Sequence, residues 1–419
     1  MKILLVNPNR FKIPPVIPIG LEYLSSAVEK RGYDVDLLDL CFSDAPENTL
    51  KGILRRNNYD MIGFSIRNID SAVYFNHQFF LKNIRKLVQI AKKTGIQVIL
   101  GGSGFSAMPN KIFKYMGADY GIIGPAEKAM VHFLEKWEKE GIDEPILDGT
   151  QYGIDKNATY MRARKIDYEP YLEKEGIVGF GTHIGCAHQC PYCVEGGTRE
   201  WFREISSVIQ EIKYLVNQGY KHFHLCDSEF NADLNYAINF CNALAKENMN
   251  ITWTLYMKPY PYTEQLFRAL RDSGANLITL SVDSDNRIQK QNRYTLDDVK
   301  MILDYGNKYG IDIAIDLLTG YPGEPVNSTK KIIKFFKNNR PKTVGVSFIY
   351  RIYENTPLGD LIQNSPSLKH GIIKSYSGDL NLLKPTFYVQ LKREFLENLF
   401  KDDDLFQLAG LKEGVNYQF

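Results

Sequence analysis

Short apolar runs rich in Val, Ile and Leu alternate along the chain with longer stretches whose apolar positions recur every three or four residues. The first pattern belongs to buried strands, the second to helices lying on a sheet. In the first half these runs predict strands over 2–6, 33–38, 60–65, 96–101 and 119–123. Helices are expected over 19–31, 47–57, 75–94, 108–115 and 125–141. Strands separated by helices pair in parallel, so this half reads as a Rossmann-like, doubly wound sheet. A second series predicts strands over 177–180, 221–226, 250–256, 276–282, 311–317 and 342–348. Six βα units of that spacing fit a partial (β/α)6 barrel of the TIM type, with its chemistry at the strands' carboxyl ends.

The expected α/β architecture therefore has a sheet domain over 1–141, a barrel over 177–350 and a small C-terminal cap over 351–419. Residues 142–176 lose periodicity and contain Pro145, Gly149, Gly153 and Pro170, and are expected as a linker. Composition adds exclusions. With 44% hydrophobic and 24% charged residues in 419, the chain is that of a globular protein, not a disordered one. The 51 Lys and Arg against 49 Asp and Glu leave a net charge of +2, without the basic excess that nucleic-acid binding imprints. No apolar run approaches the roughly 18 residues of a membrane span. The apolar stretch Ile3–Val6 is too short for a signal peptide, and a reducing, cytoplasmic setting is expected.

Six cysteines in such a chain make no disulfide framework, and three of them crowd into one loop. Cys186, Cys190 and Cys193 follow the barrel's first strand with the spacing C-x3-C-x2-C. Three thiolates on a tight loop can hold three corners of a cubane iron–sulfur cluster and leave one iron open. A structural zinc site with His183 or His188 as fourth ligand is the alternative. Cys41, Cys226 and Cys241 sit in apolar patterns as structural thiols, Cys226 being near a strand end.

Loops after the first sheet's strands carry Asn7-Pro8-Asn9, Ser65-Ile66-Arg67-Asn68, Gly101-Gly102-Ser103-Gly104 and Gly124-Pro125-Ala126-Glu127. A glycine run there lets a backbone approach a ligand and leaves N–H groups free for a phosphate. On the barrel, Trp253 and Tyr256 share a strand at odd spacing, so they face opposite sides and at most one looks inward.

The cysteine triplet, with Tyr192 before its last member, resembles the radical S-adenosylmethionine (SAM) signature. Asp227-Ser-Glu-Phe-Asn231, Leu318-Thr-Gly-Tyr-Pro-Gly-Glu324 and Tyr353-Glu-Asn-Thr-Pro-Leu358 are similar to stretches of that family's cobalamin-dependent branch. So are Pro18-Ile-Gly-Leu-Glu-Tyr-Leu24 and Gly32-Tyr-Asp-Val-Asp-Leu-Leu-Asp39 in the first half. The resemblance implies a [4Fe–4S] cluster on the three cysteines, SAM on the open iron with Tyr192 beside its adenine, and cobalamin on the first domain. It implies corrinoid contacts from Asn9, Ser65, Arg67, Asn68 and the Gly101, Gly102, Ser103, Gly104 loop. For SAM it implies Asp227 and Glu229 at its amino group or ribose, with Ser281, Asp283 and Asp316 at ribose or substrate. Asp283 serves equally as a helix cap, and Glu324 as a purely structural turn residue.

The family's D-x-H-x-x-G motif is absent, and His77 and His132 lie in predicted helices. Cobalt is then expected without a histidine beneath it. Ser-Ile-Arg67-Asn-Ile-Asp resembles the loop of the tryptophan C2-methyltransferase subgroup, which makes Arg67 and Tyr192 the catalytic candidates. A surface pair between Arg67 and Asp70 is the plain alternative. The activity implied is methyl transfer from SAM through methylcobalamin to a carbon of a small-molecule or peptide substrate, by a radical or a polar route. Reduction would come from a flavodoxin or ferredoxin type donor, with no nucleic-acid partner. A non-methylating rearrangement enzyme, or a corrinoid- or zinc-binding protein without turnover, are the other readings.

Overall fold

A computed structural model describes residues 1–374, 382–401 and 403–411. The chain divides into two compact units, Met1–Ala72 with His77–Val178, and Val73–Asn76 with Gly179–Phe419.

The first unit is built on strands β1 (Lys2–Asn7), β2 (Asp34–Asp39), β3 (Met61–Ser65), β4 (Gln97–Gly101), β5 (Tyr120–Ile123) and β6 (Ile146–Asp148). They pair in parallel in the order β2-β1-β3-β4-β5-β6. Ile3, Leu5, Met61 and Ile99 bury one face of the sheet against Leu21 and Val28 of helix Ile19–Glu29 and Met130 and Phe133 of helix Glu127–Lys139. Strand order reverses between β1 and β3, and a doubly wound sheet opens its ligand crevice at such a point, beyond the carboxyl ends.

Two expectations fail here. Residues 142–176 are not a linker, since β6 completes the first sheet and the rest folds back on helix Ile19–Glu29. Arg162, with no exposed surface, bonds Glu22 Oε2 through Nε at 3.2 Å, and Lys165 reaches Glu29 at 2.5 Å. The stretch buries ions and aromatics such as Tyr168 and Tyr171 in place of an apolar stripe, so periodicity has nothing to report. The helix expected over 75–94 covers only Leu81–Lys92. Its forerunner is held open by the Asp70–Phe79 bridge and by left-handed backbone at Ala72 and Asn76, so His77 lies in a loop.

In the second unit, β7 (Val178–Phe180) is followed by a small antiparallel pair, β8 (His183–Ile184) and β9 (Trp201–Phe202). The barrel continues through β10 (His222–Leu225), β11 (Thr252–Met257), β12 (Ala275–Asp283), β13 (Asp312–Leu318) and β14 (Thr343–Ser347). An antiparallel group, β15 (Ile349–Arg351), β16 (Ile372–Lys374) and β17 (Thr386–Val389), precedes β18 (Phe406–Leu408). The large sheet has the order β7-β10-β11-β12-β13-β14-β18. Its last strand comes from the region expected as a cap; residues 375–381, 402 and 412–419 of that region lie outside the described residues.

Alternation along β11 sorts the two faces. Trp253, Leu255 and Met257 are buried, whereas Thr254 and Tyr256 are half-exposed. Trp253 packs among Phe180, Phe230 and Phe240 and donates its indole N–H to the Ser273 carbonyl at 3.0 Å. Tyr256 faces the other way, against His224. The half-exposed face continues through Ser281, Asp316 and Gly345, which are register partners on β12, β13 and β14. A barrel interior of this kind is polar and open to a ligand, unlike the packed apolar layers of a closed barrel. Among the described residues no helix is long and apolar enough to cross a membrane.

Candidate active site

Pairing of β8 with β9 closes the cysteine loop at its base. Gly185 has φ +93° and lies so close to Arg199 that a Cβ would sit 2.0 Å from its carbonyl oxygen, which only glycine allows. Inside the loop the Cys193 N–H donates to the Cys190 carbonyl at 3.1 Å, the Gly197 N–H to His188 at 2.8 Å, and the Cys186 N–H to Thr198 Oγ1 at 2.9 Å. The Cys186 sulfur takes the His188 N–H, and the Cys193 sulfur takes those of Glu195 and Gly196. Burial pushes the Cys186 thiol up to about 12, and Cys190 and Cys193 raise it further.

A donor set of three reduced thiols, two buried and one half-buried, asks for a cationic centre. Among the described residues no three His, Cys, Asp or Glu side chains converge on one ion, as a compact zinc site requires. One histidine of the zinc reading is engaged elsewhere. His183 Nδ1 pairs with Asp227 Oδ2 at 2.9 Å, and burial with the nearby Lys258 drops His188 to about 4. Thiolates at three separate corners match a cubane cluster.

Around the loop stands a ring of polar groups from the barrel strands. Lys258, immediately after β11, is 4% exposed and lies 3.7 Å from Glu229 Oε1. Burial works against its charge, but Glu229, Cys190 and Asp283 outweigh that and raise its pKa. Burial lifts Glu229 to about 7, against the pull of Lys258 and a hydrogen bond from Ser281. It lifts Asp316 to about 6. Asn231 fixes the lysine's backbone, donating to its carbonyl at 2.8 Å and accepting from its N–H at 3.0 Å. Neither Lys258 nor this pinning was singled out in the sequence; a charged residue ending a barrel strand was the available signal.

Two predicted carboxylates serve the scaffold. Asp227 is turned inward: Oδ1 accepts the N–H groups of Thr182 and His183 at 2.8 and 3.3 Å, and Oδ2 takes the Thr182 hydroxyl as well as His183. Asp283 accepts the Tyr192 hydroxyl at 2.6 Å and the Tyr294 hydroxyl at 3.3 Å, so it anchors the cysteine loop. Glu324 is the turn residue that was the alternative, accepting the Gly320 and Tyr321 N–H groups at 2.7 and 3.1 Å. Tyr192 itself is half-buried and meets Tyr350 with ring centres 5.4 Å apart.

In the first unit the β3 and β4 loops form a ledge. The Ile66 N–H donates to Gly101 O at 2.7 Å, the Gly104 N–H to Ile66 O at 2.9 Å, and the Ser103 hydroxyl to Arg67 O at 2.8 Å. The Gly104 N–H is therefore spent on the fold and is not free for a phosphate. A Cβ at Gly102, where φ is +97°, would lie 2.6 Å from Ile66 O, and one at Gly104 would lie 2.9 Å from Arg67 O. Arg67 is exposed, Ser65 and Asn68 are half-buried, and Asp70 is buried and faces His77 at 3.7 Å. Asn9 is buried, its Oδ1 accepting the Phe11 N–H at 3.2 Å. A separate groove of about 430 Å³ runs beside Arg10, Glu47, Phe80 and Lys86, with none of the ledge residues in its lining.

Residues 14–134 match the B12 binding domain and residues 182–336 match the Radical SAM superfamily. The chain carries a B12-binding domain and a radical SAM domain. The tryptophan 2-C-methyltransferase of Streptomyces laurentii is 22% identical over 413 residues, covering 78% of this chain and 69% of that one. A tRNA-2-methylthio-N(6)-dimethylallyladenosine synthase of Clostridium tetani is 30% identical over 264 residues, 58% of this chain and 52% of that one. The chain thus spans about half of the methylthio synthase. The radical SAM methyltransferase TsrM of Kitasatospora setae, solved with tryptophan and a SAM analogue, superposes with a TM-score of 0.88 at 22% identity, covering 99% of this chain and 92% of that one. That likeness shows the fold. The resemblance drawn from the motifs holds for both domains, and with it the cluster, SAM and cobalamin as cofactors. His132 lies against Tyr152 with ring centres 4.8 Å apart, away from the ledge strands' ends.

Proposed function

We propose that the chain is a cobalamin-dependent radical SAM methyltransferase acting on a carbon of a small-molecule or peptide substrate. The observation that carries the reading is the coexistence of a three-thiol loop on the barrel unit with a glycine-tight ledge on the first sheet. When bound, the cluster and the corrinoid supply the electron and methyl-carrying chemistry, and the protein supplies position and charge.

Cys186, Cys190 and Cys193 hold the cluster. Lys258 is the cation for the SAM carboxylate and Glu229 the anion for its ammonium, both aided by low exposure. Tyr192, fixed by Asp283, borders the adenine, and Ser281 and Asp316 face the ribose or the acceptor. Asn9, Ser65, Asn68 and the Gly101–Gly104 loop border the corrinoid. Arg67 stands at the ledge with its carbonyl clamped by Ser103. A guanidinium has no lone pair to offer a metal, so Arg67 would border the corrinoid without coordinating it, and the corrinoid held there would supply a methyl group suited to polar transfer. That favours an electron-rich ring as acceptor, the substrate type of the tryptophan methyltransferase relative. An electron donor of the flavodoxin or ferredoxin type belongs to the same reading.

Anaerobic reconstitution with iron, sulfide and hydroxocobalamin, followed by incubation with SAM and indole-bearing acceptors, tests it. About four irons with one cobalt per chain, and S-adenosylhomocysteine formed together with methylated acceptor, are expected. SAM cleavage without S-adenosylhomocysteine would instead mark a rearrangement enzyme, and tight zinc without iron or corrinoid would end the reading.

A further inference from the structure

We propose that Asn292 is a positioning residue that raises the reduction potential of the cluster by donating its carboxamide N–H to the Cys190 sulfur. The proposal rests on the radical SAM reading above. The three cysteine sulfurs are not supported alike. Those of Cys186 and Cys193 take N–H groups from the loop's own backbone. Cys190 instead takes side chains from elsewhere in the barrel unit, Lys258 from the end of β11 and Asn292 Nδ2 at 3.7 Å. Lys258 is mobile in role, because it also serves Glu229 and is the cation available to SAM. Asn292 has no such second duty among the described contacts, and it is buried, at 5% exposure.

The chain builds this contact deliberately in the physical sense. Helix Asn286–Gln291 ends against the loop, with Gln291 Nε2 donating to the Gln189 carbonyl at 3.1 Å. Arg293 then adopts φ +61°, a left-handed conformation that costs any residue with a Cβ. That reversal turns Asn292 to Cys190 and Tyr294 to Asp283. Hydrogen bonds to cluster sulfurs stabilise the more negative, reduced state, and their number is one of the determinants of cluster potential. Removing one shifts the potential downward.

The test is a potentiometric titration of the reconstituted full-length protein, read by electron paramagnetic resonance of the reduced cluster. Asn292→Leu removes the donor at similar volume, and Asn292→Asp replaces it with an acceptor. Each is expected to keep its iron and to lower the reduced-to-oxidised ratio at the parent's midpoint about tenfold, which is about 59 mV for one electron. The shift is expected to be larger for Asn292→Asp, which also decides the matter if Asn292→Leu does not fold. Gln291→Ala, which loses support of the loop but no bond to sulfur, is expected to leave the potential unchanged. Full iron with an unmoved potential in the Asn292 variants overturns the proposal, as does an equal shift in Gln291→Ala. A chain that takes up no iron under any condition removes the radical SAM reading and this inference with it.

Discussion

The Tyr192 hydroxyl donates to Asp283 Oδ1 over 2.6 Å, tying the cysteine loop to the end of β12. Tyr294 occupies the second carboxylate oxygen at 3.3 Å while its own oxygen accepts the Asp283 N–H at 2.7 Å. Hydrogen bonds to a charged, buried acceptor contribute about 1.5–3 kcal/mol. Asp283→Ala is expected to destabilise more than Tyr192→Phe, since it strands two hydroxyls at once. A double-mutant cycle by thermal or denaturant unfolding is expected to give a coupling of at least about 1 kcal/mol. Additive losses would show that the bond is not formed in solution.

Lys258 and Glu229 are expected to govern SAM affinity. Lys258→Met should weaken SAM binding by about one to two orders of magnitude, the loss of a buried charge-assisted contact. Iron content should be unaffected. Glu229 ionises near pH 7, raised by burial, so it attracts an ammonium group only above that pH. SAM affinity is therefore expected to rise between pH 6 and pH 8 in the parent and to be flat in Glu229→Gln. Equilibrium dialysis across that range checks both, and a parent profile as flat as the variant's would remove Glu229 from the SAM site.

Asp316 gives a stability prediction with a definite sign. Burial holds its carboxyl at about 6 against an ordinary 3.8, so the folded protein binds this proton more tightly than the unfolded chain does. Stability is then lost as pH rises from about 4 to about 6 and stays lost above. Asp316→Asn is expected to melt higher than the parent at pH 8, by the equivalent of about 3 kcal/mol, and to melt with the parent at pH 4. An unchanged difference between the two pH values would place Asp316 in contact with solvent.

The ledge is expected to tolerate no side chain. Gly102→Ala would put Cβ within 2.6 Å of the Ile66 carbonyl at a φ of +97°, and Gly104→Ala within 2.9 Å of backbone atoms of Arg67 and Asn68. Backbone cannot yield as a side-chain tip can, and about 1–3 kcal/mol of strain is expected. Both variants should lose hydroxocobalamin binding by at least about tenfold while retaining iron on the cysteine loop, an outcome read directly from the visible spectrum and metal analysis. Loss of both cofactors together would mean global unfolding.

Much of this protein was legible before any contact was known. Strand positions such as 2–6 and 311–317 came within a residue or two of β1 and β13, because a strand buried on a parallel sheet must be a continuous apolar run. The triplet Cys186, Cys190, Cys193 and the opposed faces of Trp253 and Tyr256 were equally local, being matters of spacing and period. What failed was the stretch 142–176, whose burial is ionic and aromatic through Arg162, Tyr168 and Tyr171 and so leaves no period to read. The division of labour among the site's polar residues was decided only in three dimensions. Asp227 and Glu229 stand two positions apart and look interchangeable in sequence. Thr182 and His183, some 45 residues away, capture the first, whereas the second meets Lys258 from the next strand. A carboxylate's role depends on which charges and donors surround it in space, and those come from segments that only the folded sheet brings together.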